Sequence, residues 1–397
     1  METIYLDHNS TTPLLPEVAE AMAEWQTTRF GNPSSQHASG RRARQAIEDA
    51  REEIGRLLGA NLSGREPDRV IFTSGGTEAN NLALLGLAGG HDPQRAPGEA
   101  IVSAIEHPSI AAVAEMLERN GWRIHRLGVT RDGVVDVAQL DECLSERTCF
   151  VSVMLANNET GVVQPVAEIA VRCAASSVPM HTDAVQMIGK LPVDFRSLGV
   201  SSLSVAAHKF HGPLGIGALV ARPNVKLKPL LFGGFQQAGL RPGTESVALA
   251  VGLQAALAAW EREGVARTLR LRRLRDRLES ALATGFSGEV VSNGAGAERL
   301  PHTSNLALLG INRQELLMAL DLAGIACSTG SACASGSSEP SAVLAAMGVS
   351  KAVLDGSLRF SWGATTTEAE IERAIERILD VVGRIAPERQ SSVIRPA

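Results

Sequence analysis

From about residue 45 the chain alternates short apolar runs with segments whose apolar positions recur at helical spacing. Arg42–Leu58 has a helical pattern, Val70–Phe72 is a compact strand-like run, and a helical pattern restarts at Thr77. Ile101–Ser103 and Phe150–Leu155 read as strands, followed by helical segments from Ser109 and over Pro165–Ala175. Met180–Thr182, Leu203–Ala206 and Ile216–Val220 complete the series. Strands alternating with helices predict a mostly parallel sheet covered on both faces. Past about residue 262 the texture changes. RTLRLRRLRDRLES (267–280) has leucines at 269, 271, 274 and 278, which predicts a helix with a solvated basic face. An apolar stretch (Ser304–Leu309), a helix (Arg313–Ala323), a Ser/Gly/Ala loop (328–338), a strand candidate (Ser357–Ser361) and a terminal helix (Thr367–Ile385) outline a smaller α+β unit.

Length and composition narrow the function classes. A chain of 397 residues is long for one simple core, so two domains are expected. Apolar content of 44% and charged content of 20% suit a globular protein. A net charge of −5, with no basic block interleaved with aromatics, gives no reason to expect a nucleic-acid partner. METIYLDHNSTTP lacks the basic and apolar regions of a signal peptide, and no run of about 18 apolar residues predicts a membrane span. The five cysteines (143, 149, 173, 327, 333) are odd in number and form no CxxC pair, so neither a disulfide framework nor a structural metal site is expected. A reducing, cytoplasmic compartment is expected, in which a chemically important cysteine acts as a nucleophile.

In open α/β sheets, ligands sit beyond the carboxyl ends of the strands. The segments just past the strand ends of this chain are SGGTE (74–78), IEH (105–107), ANNETG (156–161), TDAVQ (182–186) and AAHK (206–209). Two glycines before a helix make an anion cradle, although the same residues serve as an ordinary helix start. Asp183 either caps the next helix or sits beside a protonated ring nitrogen. Lys209 either reaches solvent along its alkyl stem or is an amine that captures an aldehyde. Together, an anion cradle, an aspartate and a lysine at three strand ends match the three needs of pyridoxal 5′-phosphate.

The chain resembles the cysteine desulfurases, in the nitrogen-fixation and iron–sulfur-assembly branch of the fold type I pyridoxal-phosphate enzymes. The resemblance rests on YLDHNSTTP (5–13), GNPSSQHASGRRAR (31–44), FTSGGTEANNLAL (72–84), EHPSI (106–110) and NNETGVVQP (157–165). It continues with HTDAVQMIGKLPVD (181–194), HKFHGPLGIGAL (208–219), LRPGTES (240–246), TGSACASGSSEPSAVLAAMG (329–348) and LRFSWG (358–363). It implies an aspartate-aminotransferase-like α/β fold: a large domain (15–261) with a mostly parallel seven-stranded sheet, and a small α+β domain (1–14 with 262–397) that carries a catalytic cysteine loop at about 326–340.

By the same resemblance Lys209 holds the cofactor as a Schiff base and then acts as base at Cα. His107 stacks on the ring and shuttles protons, Asp183 pairs with the ring nitrogen, and Gln186 and Asn158 bond around the ring oxygen. Gly76, Thr77 and His208 bind the phosphate, with Thr244 reaching in from the second subunit of a homodimer. Arg359 clamps the substrate carboxylate. Cys333, among small residues, takes sulfur from L-cysteine as a persulfide and carries it to a sulfur-acceptor protein. Cys327 is read as packing.

Two departures stand out. Ala206 occupies a position where the family usually has a hydroxyl residue, and FGGFQQAGLRPGT (232–244) differs from the usual GGGQE or GGGHE. The alternatives are selenocysteine lyase or cysteine-sulfinate chemistry on the same site, an aminotransferase, and a cofactor-binding scaffold with little turnover.

Overall fold

The strands expected from the alternating region form one sheet. In the computed structural model, which describes residues 3–89, 97–330 and 340–385, its spatial order is Arg69–Thr73, Gly217–Ala221, Ser202–Ala206, Met180–Asp183, Thr148–Ser152, Glu99–Ser103 and Arg123–Leu127. Among the described residues this is a seven-stranded sheet, and within it Gly217–Ala221 alone runs against its neighbours. The carboxyl ends of the other six strands therefore lie along one edge, and the polar clusters collect there. Val205 and Ala207, with Phe210 just beyond the strand, are almost fully buried beneath this edge. Burying a large apolar side chain contributes about 1.5–3 kcal/mol, so Lys209 leaves a firmly anchored strand end.

Arg123–Leu127 and helix Pro16–Thr27 were not legible in the pattern. RIHRL is an edge strand held by backbone pairing to Glu99–Ser103, and its two apolar residues give no alternation to read.

The smaller unit is built on an antiparallel sheet in the order Ser357–Ser361, Thr303–Leu308, Val290–Ser292, in which Arg359 faces Asn305. The N-terminal Ile4–Tyr5 joins it by pairing in parallel with Ile325–Ala326. Helix Val247–Gly285 runs 39 residues without a break, across positions 261 and 262. Its first half (Ala250, Leu253, Leu257) packs in the core of the large sheet. Its second half (Leu271, Leu274, Leu278) packs with Ile4, Leu6, Phe360 and Trp362. The basic stretch departs from expectation at two positions: Leu269 is exposed, and Arg267 is buried.

Candidate active site

A cleft of about 660 Å³ opens at the edge where the strands end. Gly76, Thr77, His107, Asn158, Asp183, Gln186, His208, Lys209 and Arg359 all line it. Thr244 does not, and it is exposed. Cys333 lies outside the described residues; Gly330 and Pro340, on either side of that stretch, both line the cleft.

The anion cradle is the start of helix Gly76–Leu87, which has no side-chain cap among the described residues. Its first-turn Glu78 is turned to Ser74 N–H (2.6 Å) and Arg241 (2.8 Å). A Cβ at Gly217 would lie 2.4 Å from the Val205 carbonyl oxygen and 2.8 Å from Gly75 Cα, so this close approach admits only glycine.

Asp183 is fixed from two sides. Asn80 Nδ2 donates to Oδ2 at 2.7 Å, and Val185 N–H donates to Oδ1 at 2.9 Å. Asn80 Oδ1 lies 3.1 Å from His181 Nε2, and His181 Nδ1 lies 2.9 Å from Ser202 Oγ. Burial pushes His181 down to about 3, so its ring is neutral, with Nε2 donating to Asn80 and Nδ1 accepting from Ser202. Asn80 and His181 were not singled out in the sequence. The available signal was the polar pair Asn80–Asn81 just before the apolar run of this helix.

His107 caps helix Pro108–Arg119, its Nδ1 accepting from Ser109 N–H at 3.1 Å, which leaves the proton of the neutral ring on Nε2. Burial lowers its pKa, Asp183 opposes that, and Lys209 adds to it. His208 is pushed down to about 4 by burial, then by Lys209 and Lys190. Beside His107, Glu106 was also missed. Its Oε1 accepts from Ser103 Oγ (2.6 Å) and Met154 N–H (2.9 Å), while buried Oε2 has no partner among the described residues. Burial, and then the charge of Asp183, raise it to about 8, so near neutrality it is a carboxylic acid.

The N-terminal segment ties the site together, which its quoted motif did not reveal. Lys209 Nζ donates to the carbonyls of Asn9 (2.6 Å) and Ser10 (2.9 Å), and Gln186 Nε2 to Asn9 O (3.1 Å). Asn9 Nδ2 donates to Asn158 O (3.0 Å). Arg359 is almost fully buried and donates to Asp7 (2.7 Å), Ser10 Oγ (3.0 Å) and Asn158 O (2.9 Å). Its Nε and Gln186 Oε1 are buried without partners among the described residues.

An anion cradle, a pinned carboxylate and an amine thus share one cleft. Residues 4–374 match the family described as aminotransferase class-V. The chain belongs to the class-V aminotransferase family. It is 42% identical over 388 residues to a cysteine desulfurase of Enterobacter agglomerans, covering 97% of this chain and 94% of that one. Against the cysteine desulfurase IscS of Dictyoglomus turgidum the identity is 40%, covering 98% and 97%. A NifS-like protein from Rickettsia africae superposes with a TM-score of 0.87 at 32% identity, covering 96% of this chain and 100% of that one.

This member of the class-V aminotransferase family works with pyridoxal 5′-phosphate, and its residues fit the group. The uncapped helix start suits the phosphate, Asp183 the ring nitrogen and Lys209 the aldehyde, while orphaned Gln186 Oε1 lies in the same wall. Ala206 lines the cleft as the small residue it is. The divergent 235–238 stretch serves the sheet instead: Gln237 Oε1 accepts from Phe72 N–H (2.9 Å) on the edge strand and from Arg51 (2.8 Å). Cys327 packs with the core of the smaller unit, and burial raises its thiol to about 12, which keeps it protonated.

Proposed function

We propose that this chain is a cysteine desulfurase, which takes sulfur from L-cysteine, releases L-alanine and passes the sulfur through its own Cys333 to an acceptor. The observation that carries this reading is the convergence of Lys209, Asp183 and the helix start at Gly76 on one cleft. In this reading Gly76, Thr77 and His208 hold the phosphate, and Asn158 and Gln186 sit beside the ring oxygen. His107 lies against the ring, and Asp183, held by Asn80, keeps a proton on the ring nitrogen. Bound there, the cofactor supplies an electron sink for the pair released when the Cα–H bond breaks.

Lys209 takes that proton, and Arg359 holds the substrate carboxylate, for which its unpartnered Nε–H is available alongside the donors now shared with Asp7. The Cys333 thiolate attacks the substrate sulfur. The carbon–sulfur bonding pair stays with the carbon skeleton, which takes up protons and leaves as alanine. Cys333 keeps the sulfur as a persulfide, which an acceptor thiol removes. Gly330 and Pro340 support this role, because both line the cleft and Cys333 stands three positions beyond Gly330.

The working unit in this reading is a cytoplasmic homodimer that serves a sulfur-acceptor protein. Each copy has a cofactor domain (15–261) and a smaller domain (1–14 with 262–397). Leu231, Phe232 and Phe235 are 50%, 82% and 95% exposed, on the same stretch as Thr244, and such a patch suits a second copy that also receives Thr244. No helix among the described residues is long and apolar enough to cross a membrane.

The test is an assay of the cofactor-loaded protein with L-cysteine and a thiol reductant. Alanine and sulfide in equal amounts are expected. Keto-acid in place of alanine overturns the reading, and parallel selenocysteine and cysteine-sulfinate reactions rank the substrates.

A further inference from the structure

Behind Lys209, where the two cores meet, lies a small cavity with an unusual wall. His8, Lys190, His211, Arg267 and His302 line it, and none of the five exceeds 4% exposure. They come from five separate parts of the chain, and Lys209 belongs to the same wall. Six nitrogens have no hydrogen-bond partner among the described residues: Lys190 Nζ, both ring nitrogens of His302, His8 Nδ1, and Arg267 Nε and Nη1. His211 is already used, with Nδ1–H donating to Pro13 O (2.8 Å) and Nε2 accepting from Ala364 N–H (2.9 Å). No described carboxylate lines the cavity. Arg267 reaches one through a different nitrogen, Nη2 to Glu263 at 2.9 Å, and that glutamate side chain is 63% exposed.

Burying several bases with no acid is costly. Burial and mutual repulsion push His8 to about 3 and hold Lys190 and His302 well below their usual values. The guanidinium of Arg267 presents Nε–H and Nη1–H as donors that need an acceptor. The cavity of about 10 Å³ takes one particle of water or halide size. With an anion beside them Lys190 and His302 hold their protons, and every N–H around it donates to it, whereas a water offers two lone pairs and no counter-charge.

We propose that this cavity is a binding site for a small monovalent anion, chloride-like in size, held by Lys190 and Arg267 with His302. The anion supplies the counter-charge that the protein wall lacks and joins the two cores behind the catalytic cleft.

Crystals of the cofactor-loaded enzyme grown in sodium bromide and measured at the bromine edge test this directly. An anomalous peak within hydrogen-bond reach of Lys190 Nζ and Arg267 is expected; density for water alone, with no anomalous signal, overturns the proposal. In solution, melting is compared in sodium chloride and sodium gluconate at equal ionic strength. Chloride at 100 times its dissociation constant is expected to raise Tm by about 3 °C, and Lys190→Met to lose the difference. Equal Tm in the two salts, or a chloride effect that survives in Lys190→Met, refutes it.

Discussion

Glu106→Gln isolates one buried proton. Glu106 sits in the cleft wall with one oxygen accepting two hydrogen bonds and the other unpartnered, and its pKa is raised from 4.5 to about 8 by burial and then by Asp183. An acid raised in the native state binds its proton more tightly there than in the unfolded chain. Below the ordinary carboxyl pKa both states are protonated, and the group contributes no pH dependence. As pH rises toward 8 the unfolded chain has released a proton that the native protein retains, so stability falls, levelling off above 8. The slope is about 1.4 kcal/mol per pH unit, so from pH 6 to pH 9 the loss is roughly 3 kcal/mol. With an unfolding entropy of about 2 cal/mol/K per residue, a chain of this length loses about 3 °C in Tm.

Glutamine keeps the acceptor for Ser103 and Met154, matches the neutral acid in shape and has nothing to titrate. Thermal melts of cofactor-loaded wild type and Glu106→Gln at half-unit steps are therefore expected to diverge by about 3 °C, with the variant falling less. All other ionisable groups cancel in the difference. Parallel curves from pH 6 to pH 9 would show that Glu106 is ionised in the native protein and would refute the reasoning.

The same geometry fixes further outcomes. Asn80→Ala removes the 2.7 Å donor to Asp183, a charge-assisted bond of about 1.5–3 kcal/mol, so cofactor affinity measured by absorbance titration is expected to fall roughly 10- to 100-fold. Lys209→Ala is expected to abolish alanine and sulfide formation together, assayed after full loading with cofactor. Cys333→Ser is expected to abolish sulfide release while the yellow absorbance of the loaded protein remains; loss of that colour would contradict the division of labour between cofactor site and thiol. Phe235→Glu places a charge on a 95% exposed apolar residue, and sedimentation velocity is expected to show a shift from dimer to monomer.

Part of this architecture is legible in the chain itself. Periodicity identified the strands from Val70 to Val220 because buried parallel strands are continuous apolar runs, and the polar clusters stood out because they interrupt those runs. Gly76, Asp183 and Lys209 could be grouped because in such sheets strand ends share an edge, and all three line the cleft. Edge strand Arg123–Leu127 was invisible because it is held by backbone pairing.

The remaining partners were decided by tertiary structure alone. Asn9 and Ser10 meet Lys209 across about 200 positions, and Asp7 meets Arg359 across 352, because the N-terminal strand pairs with Ile325–Ala326 and lays that segment over the cleft. Nothing in the local pattern of Asp7, Asn9 or Glu106 signals such contacts. Arg267 reads as part of a solvated helix face, and nothing local marks Lys190 as buried; packing of the two cores closed over both. Sequence determines which segments are apolar and which chemistry stands at their ends; how deeply a charged group is buried, and what faces it, is set by long-range packing.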